Sequence, residues 1–244
     1  MSVDMYLSAS QNQSSSVSQM TKQQVQSYEQ LQKAITDFSL NSPFLTGAAY
    51  ESAKTYFDQV LYPLVQGGVL LSEAVEQAVK KLPEAYLADV DNGDLKQSEL
   101  EEKLQQVDRL ISQAEEIGGL LHSSSTPEMT KEGQLSANTR MIGLYRTVKQ
   151  ELEEKLYKLM AFNQSSATIF TEIAALEEAV IQGLAQTKTA FSSNTGVFNV
   201  PCKADLAWQT VIVTKLQERG QEKDEHLIKT VINDKASFEE ELAD

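Results

Sequence analysis

The chain has 244 residues, of which 21 are basic and 35 acidic, and its formal net charge at pH 7 is −14. Lysine and arginine supply the attraction to nucleic-acid phosphates and anionic membrane surfaces, so this charge balance argues against both as partners. Hydrophobic residues make up 41% of the chain, which is enough for a core, and aromatic residues only 7%. With 11 Gly and 5 Pro, this composition favours thin helical layers over a compact mixed sheet.

Cysteine usage and hydropathy bear on disulfide formation and membrane insertion. Cys202 is the single cysteine, so no intramolecular disulfide can form, which suits folding in a reducing cytosol. Residues 1–20 lack the basic start and apolar stretch of a secretory signal, and no run approaches the ~18 apolar residues of a spanning helix. The sequence therefore predicts no membrane insertion, and any export would need a route that accepts folded helical cargo.

Residues 3–38 predict the first long helix. Their regular 3-4 spacing is typical of coiled-coil-like packing. Several of the spaced positions are polar where a tight core favours Leu, and such a layer discriminates between packing registers and partners. An alternative is that residues 8–19, rich in Ser and Gln, are frayed. The spaced positions are Val3, Leu7, Ser10, Ser14, Val17, Thr21, Gln24, Tyr28, Leu31, Ile35 and Phe38.

A short break follows and predicts the turn of a helical hairpin. Pro43 removes a backbone donor and biases the residue before it away from helical dihedral angles. Thr46 is predicted to cap the next helix, and Gly47 tolerates a positive φ or the close approach of another backbone. Phe44 and Leu45 are predicted to fold back between the two arms as an apolar plug.

Residues 48–82 predict the second arm, a helix whose two apolar stripes both need cover. Pro63 is expected to bend this helix unless it begins a new one. Gly67 and Gly68 weaken it by about 1 kcal/mol each relative to Ala, and let another helix approach closely. The first stripe contains Ala53, Phe57, Val60, Leu64, Gly67, Leu71, Ala74 and Ala78. The second contains Leu61, Val65, Gly68, Val75 and Val79.

The rest of the chain predicts further helices and a change of character at residue 192. Residues 83–93 indicate a short helical turn and a loop. The next predicted helices cover 94–121, 128–162 and 166–191. Val197–Pro201 favours an extended segment, residues 203–219 favour a helix, and the charged tail from 220 to 244 is either helical or disordered.

These elements predict an all-α fold, an elongated helical bundle with coiled-coil-like packing, built on a long helical hairpin whose turn contains the sequence Leu-Thr-Gly. Residues 1–191 are predicted to form one helical domain, with the hairpin at 3–82 and further helices at 94–191. Residues 192–244 are predicted to form a C-terminal extension with a short extended piece and a helix.

Residues that carry catalysis or bind metals are sparse. His122 and His226 are the two histidines, neither at a zinc spacing from Cys202, and the chain has no Gly-rich phosphate loop or nucleophile elbow. The acidic stretch around Gly93 misses the ligand positions of a calcium loop, and instead fits a turn whose Asp94 caps the next helix. The sequence predicts no metal, no cofactor and no enzymatic activity.

The triplet Leu45-Thr46-Gly47 is an L-x-G motif between a long polar heptad helix and a second long helix, with further helices after it. In this setting the chain resembles the LXG domain, the N-terminal region of polymorphic toxins that Gram-positive bacteria export through type VII secretion systems. The resemblance implies a targeting module without activity of its own that precedes a toxin domain. It also implies a protein that is cytoplasmic before export and secreted afterwards.

The resemblance further implies two small helical partners, similar to WXG-type proteins, which dock helix on helix and escort the chain to the secretion machinery. The wider family's export pattern, Y-x-x-x-D/E, is absent here, so a partner would supply that signal. No toxin domain is expected after residue 192. The residues predicted to bind partners are Val3, Met5, Tyr6, Leu7, Val17, Met20 and Val25 on the first helix, and Leu61, Val65, Val75 and Val79 on the second.

Two other functions stay open at the level of sequence. A structural coiled-coil protein that self-associates would use the same heptads, and the L-x-G triplet would then be a coincidence. An enzyme would need an atypical site within residues 192–244. The mass of the protein in solution separates targeting from self-association, since targeting predicts a heteromer and self-association a stable homo-oligomer.

Overall fold

The computed structural model of the chain describes residues 2–125 and 127–220. Within these ranges, seven α-helices contain most of the residues, and the strands have two residues each. The prediction of an all-α fold is therefore confirmed. The predictions for His226 and for the charged tail after Gly220 lie outside the described residues.

The chain begins with β1 (Asp4–Met5), α1 (Leu7–Leu40) and α2 (Ala48–Tyr56), followed by a π-helical turn (Phe57–Leu61) and α3 (Tyr62–Asp89). Next come β2 (Leu95–Lys96), α4 (Gln97–Ser123), α5 (Glu128–Ser165), a 3-10 turn (Ser166–Phe170) and α6 (Thr171–Thr187). The last described elements are β3 (Phe191–Ser192), β4 (Val197–Phe198), a 3-10 turn (Lys203–Leu206) and α7, which includes 208–220.

The first of two compact units consists of residues 1–15 and 78–169. In it, β1 pairs antiparallel with β2. The carboxylate of Asp94 accepts a hydrogen bond from the backbone N–H of Leu7 at 2.8 Å and thereby caps the start of α1. The prediction that Asp94 caps the following helix is wrong, because Lys96 occupies the N-cap of α4 and makes no capping hydrogen bond. The buried core contains Leu7, Tyr86, Val90, Leu100, Leu159 and Phe162.

Of the described residues, the second unit contains 16–77 and 170–220. The extended segment after residue 192 belongs to it, since β3 and β4 form a hairpin whose Phe198 ring packs on Tyr56 at a centroid distance of 5.5 Å. The domain boundary predicted at residue 192 stays a prediction. The buried core contains Tyr56, Val60, Leu64, Leu70, Leu176, Ala179, Ala190, Trp208 and Ile212.

Pro63 changes the helix around it, as its missing backbone donor predicts. The backbone N–H of Tyr62 donates to the carbonyl of Phe57, five residues back, and α3 then begins with Pro63 in its first turn. In a regular helix the carbonyl of Gln59 would bond to the N–H of residue 63. Here the side-chain amide of Gln209 on α7 donates to that carbonyl instead, so α7 satisfies the acceptor that proline leaves unpaired.

A second proline does not end its helix. The prediction of a separate short turn at 83–93 is wrong, because α3 continues through Pro83 to Asp89. Proline inside a helix costs about 3 kcal/mol. That cost is offset by burial of Tyr86, whose ring lies 5.4 Å from that of Phe162 and whose hydroxyl donates to the carbonyl of Gly93 at 2.8 Å.

Along α1, the buried face shifts part-way and departs from unbroken heptads. Gln24 and Leu31, predicted on the seam, are exposed, whereas their neighbours Val25 and Gln32 are half-buried. A straight α-helix has 3.6 residues per turn, so side chains repeating every 3.5 residues drift around the helix surface. A spacing of four residues from Thr21 to Val25 returns the covered positions to the face that packs on the neighbouring helix. Residues 8–19 are helical, so the alternative of a frayed segment is not observed.

Candidate partner-binding surfaces

The L-x-G motif forms the turn between α1 and α2. Gly47 has φ 103° and ψ 161°, which L side chains rarely adopt, and open space surrounds the position that a Cβ would occupy. The turn therefore needs glycine for its backbone dihedral angles, and not for the close approach of another segment. The prediction that Thr46 caps α2 is wrong, because Gly47 occupies the N-cap and no side chain caps this helix.

A lysine outside the motif closes the turn. The Nζ of Lys54 donates hydrogen bonds to the backbone carbonyls of Ser42 and Leu45, both at 3.0 Å. Neither carbonyl lies in a helix. The Ser42 carbonyl also accepts the backbone N–H of Leu45 at 3.2 Å, so the ammonium group adds a second bond there and supplies one to the Leu45 carbonyl. Sequence reasoning missed Lys54. The available signal was a cation two turns into the second arm, close to a turn whose carbonyls lie outside the helices.

The same turn exposes apolar side chains. Phe44 is 95% exposed and Leu40, at the end of α1, is 72% exposed, whereas Leu45 is half-buried. The prediction that Phe44 plugs the space between the arms is wrong. Phe38 and Phe57 already meet there, with ring centroids 5.0 Å apart, so the turn leaves Phe44 in solvent.

The candidate partner-binding residues of the first helix differ in accessibility. Tyr6 and Met20 are 47% and 50% exposed, so both side chains are accessible. Leu7 belongs to the core of the first unit, and Val3 and Met5 pack against that core. Half-buried positions on α1 are Val17 and Val25.

Two members of the polar layer predicted on α1, Thr21 and Gln24, pair with α3 of the same chain. Thr21 is buried, and its hydroxyl donates to the carbonyl of Ser72 at 3.4 Å. Nearby, the hydroxyl of Ser18 donates to the Glu76 carboxylate at 2.7 Å, and the hydroxyl of Ser72 donates to the side chain of Gln24 at 3.2 Å. These bonds satisfy the polar groups between the two helices, so the layer fixes their register within the chain.

On the second arm, the candidate residues are largely covered by the chain itself. Val65 is buried, with 6% of its surface exposed, and Leu61 packs against the core of the second unit. A helix with apolar residues on two sides needs a neighbour on each. Half-buried positions on this stripe are Val75 and Val79.

The paired glycines of α3 show how both sides of this helix are covered. A Cβ at Gly68 would lie 2.8 Å from the ring of Tyr28 on α1, and a Cβ at Gly67 would lie 2.5 Å from the side chain of Ile212 on α7. Each glycine thus lets a different helix approach. The prediction that these glycines allow close helix packing is confirmed, and the second stripe meets neighbours from the same chain.

Two consecutive helices of the first unit, α4 and α5, share an exposed apolar surface on their hairpin. The two helices pack along their length, and the side-chain amide of Asn138 donates to the Ala114 carbonyl at 2.7 Å. Six large apolar side chains lie outside this contact, each between 40% and 68% exposed. We call them the open face: Leu110, Ile117 and Leu120 of α4, and Met141, Leu144 and Val148 of α5.

Two titratable groups near the end of α3 have structural partners. Asp91 forms an ion pair with Lys155 at 2.6 Å, and this hydrogen bond lowers the pKa of the Asp91 carboxyl below its ordinary value, against the opposing effect of burial. Burial, with the nearby charges of Asp91 and Asp94, raises the pKa of Tyr86 to about 12. These groups therefore hold one charge state near neutral pH, which suits a structural role better than proton transfer.

A small groove in the second unit is also occupied by ion pairs. Arg219 contacts Glu73 at 2.6 Å, and Lys215 contacts Glu218 at 2.8 Å and Glu172 at 3.7 Å. Across the described parts of the chain, no three His, Cys, Asp or Glu side chains are grouped so as to hold a metal ion. Neither feature points to a catalytic centre.

Comparison with known proteins assigns the chain to a family. A family model described as the LXG domain of the WXG superfamily matches residues 6–197, which is most of the chain and includes the L-x-G turn. The chain belongs to the LXG family. A Bacillus cereus protein named Toxin is 28% identical to this LXG chain over 224 residues, which is 91% of the chain but 38% of that relative. The resemblance drawn from the motif is therefore confirmed.

The family match covers the L-x-G turn and helices of both units. The matched residues of the LXG chain include Gly47, Lys54 and both units' helices up to β4. None of the helices in its described residues is long and apolar enough to cross a membrane. The candidate sites that the geometry supports are three separate exposed apolar surfaces. They are the tip at Leu40 and Phe44, the first-helix residues Tyr6 and Met20, and the open face.

Proposed function

We propose that this LXG chain is a non-catalytic targeting module of a secreted toxin, which binds two small helical proteins and delivers its cargo to a type VII secretion machinery. The observation that carries the proposal is the family match over residues 6–197. The toxin relative supports it, since the LXG chain spans only 38% of that protein and leaves room there for a separate toxic domain.

The arrangement of apolar surface supports partner binding over catalysis. Exposed apolar side chains gathered in one patch mark interaction sites, whereas scattered ones are ordinary. Besides the open face, Tyr6 and Met20 stay accessible among the candidate residues of α1. A partner helix that docks on α1 beside Met20, in the second unit, would also meet the half-buried residues Val17 and Val25. The remaining candidates would support the helices within their own units: they are Val3, Met5, Leu7, Leu61, Val65, Val75 and Val79.

The export signal is the second part of the proposal. The chain lacks a Y-x-x-x-D/E pattern, so a partner supplies that signal in trans. The protein then stays in the cytoplasm until the complex forms and is secreted with it. The exposed tip beside the L-x-G turn leaves Phe44 and Leu40 free for contact with the machinery after partners have bound elsewhere.

Co-expression tests this function directly. The chain would be produced alone and together with any short helical proteins encoded by neighbouring genes, and each sample would be weighed by native mass spectrometry. We expect a defined heteromer from co-expression and a less soluble chain alone. A stable homo-oligomer that ignores the helical proteins would favour the structural coiled-coil alternative, and toxicity of the isolated chain in a host cell would favour an enzyme.

A further inference from the structure

The two flanks of the α4–α5 hairpin differ in character. On one flank, Lys149 contacts Asp108 at 2.7 Å and Arg146 contacts Glu115 at 2.9 Å, so this side is closed by ion pairs between the helices. The open face occupies the other flank. Its members recur at helical spacings of three and seven residues, which puts them in one row on each helix.

The open face is too regular to be an ordinary scatter of exposed residues. Exposed apolar residues are common one at a time, but a contiguous patch of several hundred Å² marks an interaction surface. Six large side chains, each at least 40% exposed, lie on the same flank by their helical spacing, which is the arrangement expected of such a surface. Since the hairpin is only one layer of two helices, it has the form of half a four-helix bundle, and two more helices would complete it.

Two arginines at the edge of the open face indicate which charges a partner's helices would carry there. Arg109 and Arg140 border the open face, one on each helix. The guanidinium of Arg109 donates to the carbonyl of Gln105 in its own helix, and that of Arg140 donates to the hydroxyl of Ser136. Neither arginine has a carboxylate partner in the described part of the chain, so carboxylates on an incoming helix would pair with both.

We propose that the open face receives a two-helix hairpin from one of the small helical partners, with an apolar stripe against Ile117 and Leu144 and with carboxylates opposite Arg109 and Arg140. This inference rests on the proposed function and adds the docking face and the chemistry of the partner. A second copy of the chain fits less well, because each copy carries a formal charge of −14.

Two variants with equal added charge test the docking face. In the full chain, Ile117→Glu with Leu144→Glu places two carboxylates on the open face, whereas Thr139→Glu with Gln150→Glu places two on exposed positions of the other flank. Both would be co-expressed with the short helical proteins encoded beside the gene. We expect the first variant to weaken binding by about tenfold or more and the second to bind as the wild type does.

Each outcome decides one part of the inference. Equal binding by both variants overturns the docking face while the proposed function stands. No heteromer with the wild-type chain overturns both. A wild-type homodimer that the open-face variant dissociates makes a second copy the occupant. A photo-crosslinker at Leu144, compared with one at Gln150, keeps the test valid if the double variant folds poorly, since only Leu144 should crosslink to a helical partner.

The margin charges have their own test. Arg109→Glu with Arg140→Glu should weaken binding of the same helical proteins at low salt, and the difference from the wild type should narrow as the salt concentration rises. Binding by this variant that equals the wild type at low salt would overturn the acidic margin of the partner, and would leave the apolar docking face to be judged by the first pair of variants.

Discussion

Two regions of the chain carry more apolar surface than one neighbouring helix can cover, and within residues 2–125 and 127–220 only one of the two is covered by further helices. In the second unit, α3 has neighbours on two sides, with Tyr28 against Gly68 and Ile212 against Gly67. In the first unit, α4 and α5 pack on each other, and their outer apolar row stays in solvent, with Leu144 67% exposed. A wide apolar surface on a helix therefore does not by itself identify a partner site.

The two regions differ because different neighbours pack beside their apolar residues. Small residues on α3 bring two other helices close enough to exclude water, so residues 64–70 are almost completely buried. On the α4–α5 hairpin, ion pairs close one flank, whereas the apolar side chains of the other flank stay exposed. Exposed apolar surface on this hairpin and at the L-x-G turn is what the proposed partners would contact.

The largest expected effect comes from the same charge placed in each region. Val65→Glu puts a carboxylate into the covered side of α3, where Val65 is 6% exposed, and should cost at least about 4 kcal/mol of unfolding free energy because the charge is buried without a partner. Leu144→Glu on the open face should change stability by about 0.5 kcal/mol or less. Denaturant unfolding followed by circular dichroism measures both.

Equal stability of these two variants would contradict the comparison. It would mean that α3 opens readily enough to expose Val65, and the second stripe would again be available for partners.

The next prediction tests whether packing of α7 is part of the core that buries α3. Trp208 is 3% exposed, packs near Gly183 and donates from its indole nitrogen to the side chain of Gln186 at 3.0 Å. Trp208→Ala should therefore cost about 3 to 4 kcal/mol. Val213→Ala on the same helix, where Val213 is 48% exposed, is the matched control and should cost about 0.5 kcal/mol or less. Similar unfolding midpoints for the two variants would show that α7 is not part of the core.

Much of this fold could be predicted from the sequence, because its signals are local. Helical periodicity, the break around Pro43 and the special role of Gly47 are properties of short stretches. The π-helical turn was only partly foreseeable. Pro63 signals an unpaired carbonyl at Gln59, but the donor, Gln209, lies far away in sequence and is brought there by the fold.

The site was harder to predict than the fold, because accessibility depends on which helices meet. Sequence shows that α3 has two apolar stripes, but it does not show that α1 and α7 cover both. The open face follows the same heptad logic as a buried seam, so Leu110 and Ile117 look like ordinary core residues until the neighbours are known. For the same reason Thr21 could not be assigned to an internal layer with α3 from spacing alone.

A smaller effect is expected at the turn between the arms. Gly47→Ala should cost about 1 to 3 kcal/mol, because the backbone conformation at φ 103° is one that L side chains rarely adopt. Gly119→Ala is the control, since this exposed helical glycine has open space around it and should gain up to about 1 kcal/mol from the better helix former. Thermal unfolding would distinguish the two. A Gly47→Ala variant as stable as the wild type would show that the turn relaxes without glycine.

The smallest effect concerns the ion pair at the end of α3, and it depends on pH. Because the pKa of Asp91 is lower in the folded chain than in the unfolded one, its contribution to stability is present above the unfolded pKa of about 4 and is lost as the pH falls through the folded pKa. Asp91→Asn should therefore destabilise the chain at pH 7, by about 1 kcal/mol or less since Lys155 is 45% exposed. The difference between variant and wild type should shrink below pH 4, measured as urea midpoints across that range. A difference that stays constant down to pH 3 would assign the role of Asp91 to its hydrogen bond with the Gly93 N–H, which the Asn side chain can replace only in part, and not to its charge.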